Sequence, residues 1–189
     1  MQQRHKYLLS AAQAARITAL VTNQLGDERR EVAIAATAAF TGILAFMSAA
    51  DVEALVAKYI TIANQSAMPK KQKVIAATAG ASAAAPPATG PSAVAEEART
   101  KRQRISVSIL CAAVNANPYS VPPIVPAAIA AISRHTYERA APVGVRETAK
   151  KTLSDFKRTH VDTWQTDRTL FDDSQLECLD DVSTCSYYA

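Results

Sequence analysis

The side chains able to do chemistry are few and scattered. His5, His135 and His160 lie far apart, and none forms an HxH or HExxH pair. His160 and Asp162 follow the end of an expected helix, where a cation complements the helix dipole. The five glycines are isolated, so there is no glycine-rich loop to cradle a phosphate. Asp172, Asp173, Asp180 and Asp181 carry enough charge for a divalent cation, but their spacing does not match an EF-hand. Helix capping and a solvated surface account for them better. Cys111, Cys178 and Cys185 form neither a disulfide framework nor a metal-ligand spacing, and no base stands near Cys185. The reading is therefore no catalytic residue, no metal and no cofactor. One oddity remains at the very end. "SYYA" puts two rings, Tyr187 and Tyr188, beside Ala189 and its carboxylate, where chains usually fray and carry small or polar residues.

The elements that must position such groups are helical. The chain has 189 residues, 49% of them apolar but only 6% aromatic, with much of the apolar content alanine. That mix suits close-packed helices. No run of about 18 uncharged apolar residues is present to cross a membrane. Arg16 interrupts the apolar run near the start, which therefore reads as an amphipathic helix rather than a signal peptide. The cysteine usage suggests a reducing, intracellular setting. The net charge of +4 conceals an asymmetry: residues 1–161 carry +10 and residues 162–189 carry −6. A basic body can touch nucleic acid, but without aromatic interleaving or a binding motif no direct nucleic-acid contact is expected.

A first helix is predicted from about Lys6 to Leu25, ended by Gly26, with Asp27 able to cap a second. Val32, Ala35, Ala36, Ala39, Ile43 and Phe46 share one face of that second helix. Ser48 and Asp51 form an S-x-x-D capping box for a third, and Pro69 closes the region. "ATAGASAAAPPATGPSAVA" follows, a low-complexity stretch without large apolar residues to offset its ordering entropy. Residues 69–102 are read as a flexible insertion flanked by Lys70–Lys73 and Arg99–Arg104. Those basic runs are open to two readings, solubilising charge or nuclear localisation signals. Helical period resumes with Ile105, Ile109, Leu110, Ala113 and Val114. Asn117-Pro118 and Pro142 break it, and Val145, Ala149, Leu153 and Phe156 line a further helix. Trp164, the single tryptophan, is expected to plug the angle between two helices. Asp172 and Gln175 form a capping box for a last helix, with Phe171 and Leu176 as its hydrophobic staple. Leu176, Leu179 and Val182 face inward.

This organisation is an all-α, HEAT/armadillo-like α-solenoid of antiparallel helix pairs, whose repeat unit is about 40–47 residues. Pairs 6–47 and 103–135 fit that length loosely. The expected units are helices at 1–68, the insertion at 69–102, helices at 103–182 and an extended tail at 183–189. Seven extended residues reach about 25 Å.

The residues "LSDFKRTHVDTW…F…QLECLDDV…SYYA" resemble the carboxy-terminal end of the proteasome activator complex subunit 4 family. "NPYSVPPIVPAAIAAISRH" and "LGDERREVAIAATAAFTGIL" are also similar to that family. The resemblance covers most of the chain, skipping residues 70–100. Members are very large single-chain HEAT-repeat caps on the proteasome core particle. This chain is far shorter and reads as a C-terminal piece.

The resemblance implies a non-enzymatic, ATP-independent regulator of ubiquitin-independent proteolysis, in the nucleus and cytoplasm. Tyr187, Tyr188 and Ala189 match the family's hydrophobic-Tyr-X ending, which inserts between neighbouring α-subunits of the core particle. The Ala189 carboxylate would pair with a pocket lysine, and Tyr188 would pack on the gate-setting turn. Some members also recognise acetylated histones or bind inositol phosphates, and neither set of residues can be placed here. Two rival readings remain: a generic HEAT-repeat interaction scaffold, and a basic chromatin- or nucleic-acid-associated helical module.

Overall fold

The computed structural model describes residues 10–67 and 93–184. Among them the chain forms eight α-helices and one 3-10 turn, with no strand. The helices are α1 (Ala11–Gln24), α2 (Arg30–Leu44), α3 (Ala49–Ser66), α4 (Ala93–Asn115), α5 (Val125–Ser133), α6 (Val143–Thr159), α7 (Trp164–Asp167) and α8 (Asp173–Thr184). The 3-10 turn, Arg168–Leu170, joins the last two.

Their packing makes two layers. α2, α4 and α6 lie side by side in one, and α3, α5 and α8 in the other. Pairs α1/α2, α3/α4 and α5/α6 bridge between them. That is the arrangement of an all-α solenoid, in which each pair buries its face on the next. The pairing differs in one respect from the sequence expectation. The pair 6–47 corresponds to α1/α2. The expected pair 103–135 joins α4 to α5, but α4 packs most extensively on α3. The segment read as an insertion therefore falls inside a helix pair.

α4 is the spine. Its second half, from Ser106 to Val114, is buried without a break, because neighbours surround it in both layers. The core around it holds Leu25, Phe40, Ile109, Leu110, Ile129, Ile132, Leu153 and Leu179. Val145, Ala149, Leu153 and Phe156 of α6 are buried as their spacing predicts.

Helix ends show which local signals hold. Ser48 Oγ accepts from the Asp51 amide at 3.2 Å and donates to the Asp51 carboxylate at 2.7 Å. At α1 the sequence signal was missed. Ser10 and Gln13 form a full capping box there, so α1 starts at Ala11, within the longer helix expected from Lys6. Pro126 sits in the first turn of α5, where no intrahelical amide bond is lost.

Three expectations need correction. Gly26 does not end α1 through a left-handed conformation, since no described glycine has positive φ. It is small because α4 passes close by: an added Cβ would meet Lys101 Cγ at 3.0 Å and Ile105 Cγ1 at 3.1 Å. Asp27 is not the cap of α2, whose N-cap is Arg29. Asp27 Oδ1 instead accepts from the Arg29 amide at 2.8 Å in the preceding turn. Finally, α4 begins at Ala93, so residues 93–102, expected to be flexible, are helical. Apolar periodicity was blind there because the inner face of that stretch is polar. Residues 68–92, Pro69 among them, lie outside the described residues.

Candidate functional site

The expected docking residues Tyr187, Tyr188 and Ala189 lie outside the described residues, as do Cys185 and the side chain of Val182. What the structure defines is the post that carries them. α8 extends through Thr184, two residues into the tail expected at 183–189; the five residues after Thr184 lie outside the described residues.

The post is built from the end of α6 upward. Lys157 and Arg158 complement the helix dipole in its last turn. The chain then caps itself: the Phe156 carbonyl accepts from the His160 amide at 3.1 Å, from His160 Nδ1–H at 2.9 Å and from Thr159 Oγ1 at 3.0 Å. His160 is buried, and its Nε2 has no partner among the described residues. Its ring stacks on Phe156, with centroids 4.2 Å apart. Phe171 meets Phe156 edge-on at 6.1 Å, and Trp164 leans on Phe171 at 5.9 Å. Such arrangements satisfy the quadrupoles of the rings. Trp164 thus sits at the turn between α6 and α8.

From this cluster α8 departs. Gln175 Oε1 accepts from the Asp172 amide at 3.0 Å, and Asp172 Oδ1 accepts from the Gln175 amide at 2.8 Å. The predicted capping box is complete. The Ser174 hydroxyl, then the backbone amides of Gln175 and Ser174, hold the Asp172 carboxyl below its ordinary value. Phe171 before the cap is buried and Leu176 is half-buried against the same core. Leu179 is fully buried, and Lys157 Nζ reaches Asp180 Oδ1 at 3.0 Å. α8 is thereby laid across α5 and α6. Asp172 caps the helix and Asp180 pairs with Lys157, the side chain of Asp181 lies outside the described residues, and among the described residues no group of His, Cys, Asp or Glu is placed to hold a metal ion.

A second constellation escaped sequence reasoning. Gln103 of α4, His135 after α5 and Glu138 meet in the interior, the first two fully buried. Gln103 Nε2 lies 2.9 Å from both His135 Nδ1 and Glu138 Oε2, and His135 Nδ1 lies 3.0 Å from that same oxygen. With the amide and Nδ1–H both donating to the carboxylate, which can accept more than one bond, Glu138 is served twice, while Gln103 Oε1 and His135 Nε2 have no hydrogen-bond partner among the described residues. Burial pushes the His135 pKa down, opposed by the hydrogen bond and charge of Glu138 and by the Ala63 backbone. Arg99 closes the outer side. It donates to Glu96 at 2.6 Å and to the Ser66 carbonyl at 2.9 Å, and faces Glu138 at 3.9 Å. The knot ties the C-terminus of α3 to α4 and to the turn after α5. The only local hint was a glutamine inside "RTKRQR" and an acid three residues after a histidine.

Two of the four cations of the basic run make ion pairs, Arg99 as above and Arg104 with Glu28 at 3.4 Å, while Lys101 and Arg102 are exposed. The Lys70–Lys73 run and His5 lie outside the described residues. Burial raises the Cys111 thiol to about 12, which leaves no thiolate for nucleophilic work. A cleft of about 370 Å³ between α2, α4 and α6 holds no histidine or cysteine, and its Arg30 pairs with Glu147 across the opening at 3.1 Å. No helix among the described residues is long and apolar enough to cross a membrane.

Fold and site together define a class: an all-helical stack that presents a capped, acidic terminal helix. Residues 100–189 match the family described as proteasome activator complex subunit 4-like, C-terminal. Over 185 residues the chain is 31% identical to proteasome activator complex subunit 4A of Danio rerio, covering 97% of this chain and 9% of that relative. It is 44% identical over 82 residues to proteasome activator complex subunit 4 of Homo sapiens, covering 42% of this chain and 4% of that relative. The same shares of chain and relative hold, at 37% identity, for proteasome activator BLM10 of Saccharomyces cerevisiae. The chain belongs to the proteasome activator complex subunit 4 family, and it spans less than a tenth of the length of these relatives.

Proposed function

We propose that this chain acts as the C-terminal region of a proteasome activator and docks on the α-ring of the core particle through Tyr187, Tyr188 and Ala189. The observation that carries the reading is the family match running through the last residue, on a chain whose final helix is capped, seated and five residues short of that end. The chain then works as a regulator. Its free carboxylate is captured by a cation in a pocket between α-subunits, and the Tyr188 ring anchors beside it. Docking opens the gate only insofar as the tail binds the open state more tightly than the closed one, and no nucleotide is consumed. A HEAT-type body supplies further contact area, so that tail and body bind through effective concentration. The nucleus and cytoplasm are the expected locations. Acetylated histones are partners at most of the wider family fold, since no residue here is assigned to them.

The test is hydrolysis of a fluorogenic peptide by core particle mixed with the chain. Wild type should stimulate, while Tyr188→Ala and deletion of Ala189 should remove stimulation. A tag after Ala189 should abolish docking and a tag before Met1 should not. If all these forms bind and stimulate alike, the reading fails. Salt-sensitive DNA binding that ignores the tail would support the basic, chromatin-associated module instead.

A further inference from the structure

The tail can only work from where α8 leaves it, and one small cluster decides that. We infer that Phe156, His160, Trp164 and Phe171 form a positioning device for docking: they fix the direction of α8 and so set where the five-residue tether begins. The inference rests on the docking reading above and adds residues that would not touch the core particle.

The argument is one of levers. α8 has 12 residues, or about 18 Å of length. It enters from Phe171, whose ring is held against Phe156 and Trp164 at 6.1 and 5.9 Å. His160 locks the Phe156 end by stacking on its ring and donating to its carbonyl. A tilt of roughly 20° at this joint would move Thr184 by about 6 Å. Five extended residues reach only about 17 Å. The starting error is therefore a large share of the total reach. If α8 swung freely, the carboxylate would search a radius of about 35 Å instead of 17 Å, diluting it roughly ninefold. The seat of α8 on α5 and α6 through Leu179, and the Lys157–Asp180 pair, limit that swing, so a single ring variant should cost part of this factor.

The experiment uses the whole chain with core particle and peptide hydrolysis. Trp164→Ala should raise the concentration for half-maximal stimulation about two- to fourfold, part of the roughly ninefold ceiling, and leave maximal stimulation unchanged, because the docked tail makes the same contacts. Trp164→Phe should restore most of the loss. A merely structural role would raise the half-maximal concentration only by the reciprocal of the folded fraction, which circular dichroism on the same samples reads and which is divided out; the positioning role predicts a rise beyond that factor. Inserting five Gly/Ser residues between Thr184 and Cys185 leaves the fold untouched. It should raise the half-maximal concentration in the wild-type chain and add little in Trp164→Ala, since both enlarge the same search volume. The inference is overturned if Trp164→Ala folds and matches wild type, or if the insertion changes nothing while Tyr188→Ala abolishes stimulation. If Tyr188→Ala itself stimulates like wild type, the docking reading fails and takes the inference with it.

Discussion

Two joints hold this chain together, and they are made of opposite chemistry. One is the knot of Gln103, His135, Glu138 and Arg99, which binds α3, α4 and the turn after α5 with hydrogen bonds in the interior. The other is the ring cluster of Phe156, His160, Trp164 and Phe171, which turns the chain from α6 into α8 by packing. A polar joint is stiff in geometry because each atom needs its partner at a set distance. An apolar joint depends on volume and tolerates shape-conserving change. Specification of pairing across the stack has thus been given to polar atoms, and aim of the end to rings.

The largest effect should come from emptying the ring cluster. Phe156→Ala removes a buried ring that two other rings and the α6 cap rest on. It should cost about 3–5 kcal/mol in denaturant unfolding. Phe156→Leu keeps most of the volume and should cost much less. A loss under about 1 kcal/mol for Phe156→Ala would mean that the rings lie beside the core rather than within it.

Next comes the knot. Gln103→Ala withdraws the amide that donates to Glu138 and should cost about 1–3 kcal/mol, the range for a buried polar group left short of a partner. Gln103→Met, of similar volume, separates packing from hydrogen bonding. If the knot acts through its bonds, methionine should do no better than alanine. If methionine restores stability, the contrast between the two joints is wrong and both are packing sites.

These joints also differ in how far they could be read in advance. Every part of the ring cluster lies between residues 156 and 171, and the following cap is the motif of Asp172 and Gln175. Local spacing was enough to nominate Trp164, Phe171, Leu176 and the box. The knot joins residues 32 and 35 apart in sequence, one of them in a run whose charge and neighbouring low complexity resembled a linker. Apolar periodicity cannot report a helix face lined with Arg99 and Gln103. The same blindness moved the start of α4 and changed which helices pair. Gly26 shows a third kind of miss, because its reason is a neighbour that only the fold brings near.

A smaller effect follows from pH. His135 is held below its ordinary value of 6.5 by burial, with Glu138 opposing and Arg134 reinforcing. With a depressed folded pKa, the unfolded chain takes up the proton first. The stability associated with neutral His135 is then complete above about pH 6.5 and declines as pH falls from there toward the folded value. Melting temperature should drop on acidification from pH 7.5 to 5.5, and His135→Gln should flatten that slope. An unchanged slope in the variant would remove His135 from the acid sensitivity of the knot.

The smallest expected effect is the most telling about α8. Lys157 and Asp180 make the ion pair, at 3.0 Å, that links the outer face of α8 to α6. One partner is largely exposed, so Lys157→Met, which keeps the stem, should change stability by less than about 1 kcal/mol, and less again in high salt. If α8 is seated by the rings and Leu179, this change should leave the half-maximal concentration for core-particle stimulation within about twofold of wild type, a shift of about 0.4 kcal/mol. A larger shift with stability intact would mean that charge, rather than ring packing, aims the helix. The positioning role would then belong to the face of α6 that carries Lys157, and the division of labour between a polar joint for pairing and an apolar joint for aim would have to be redrawn.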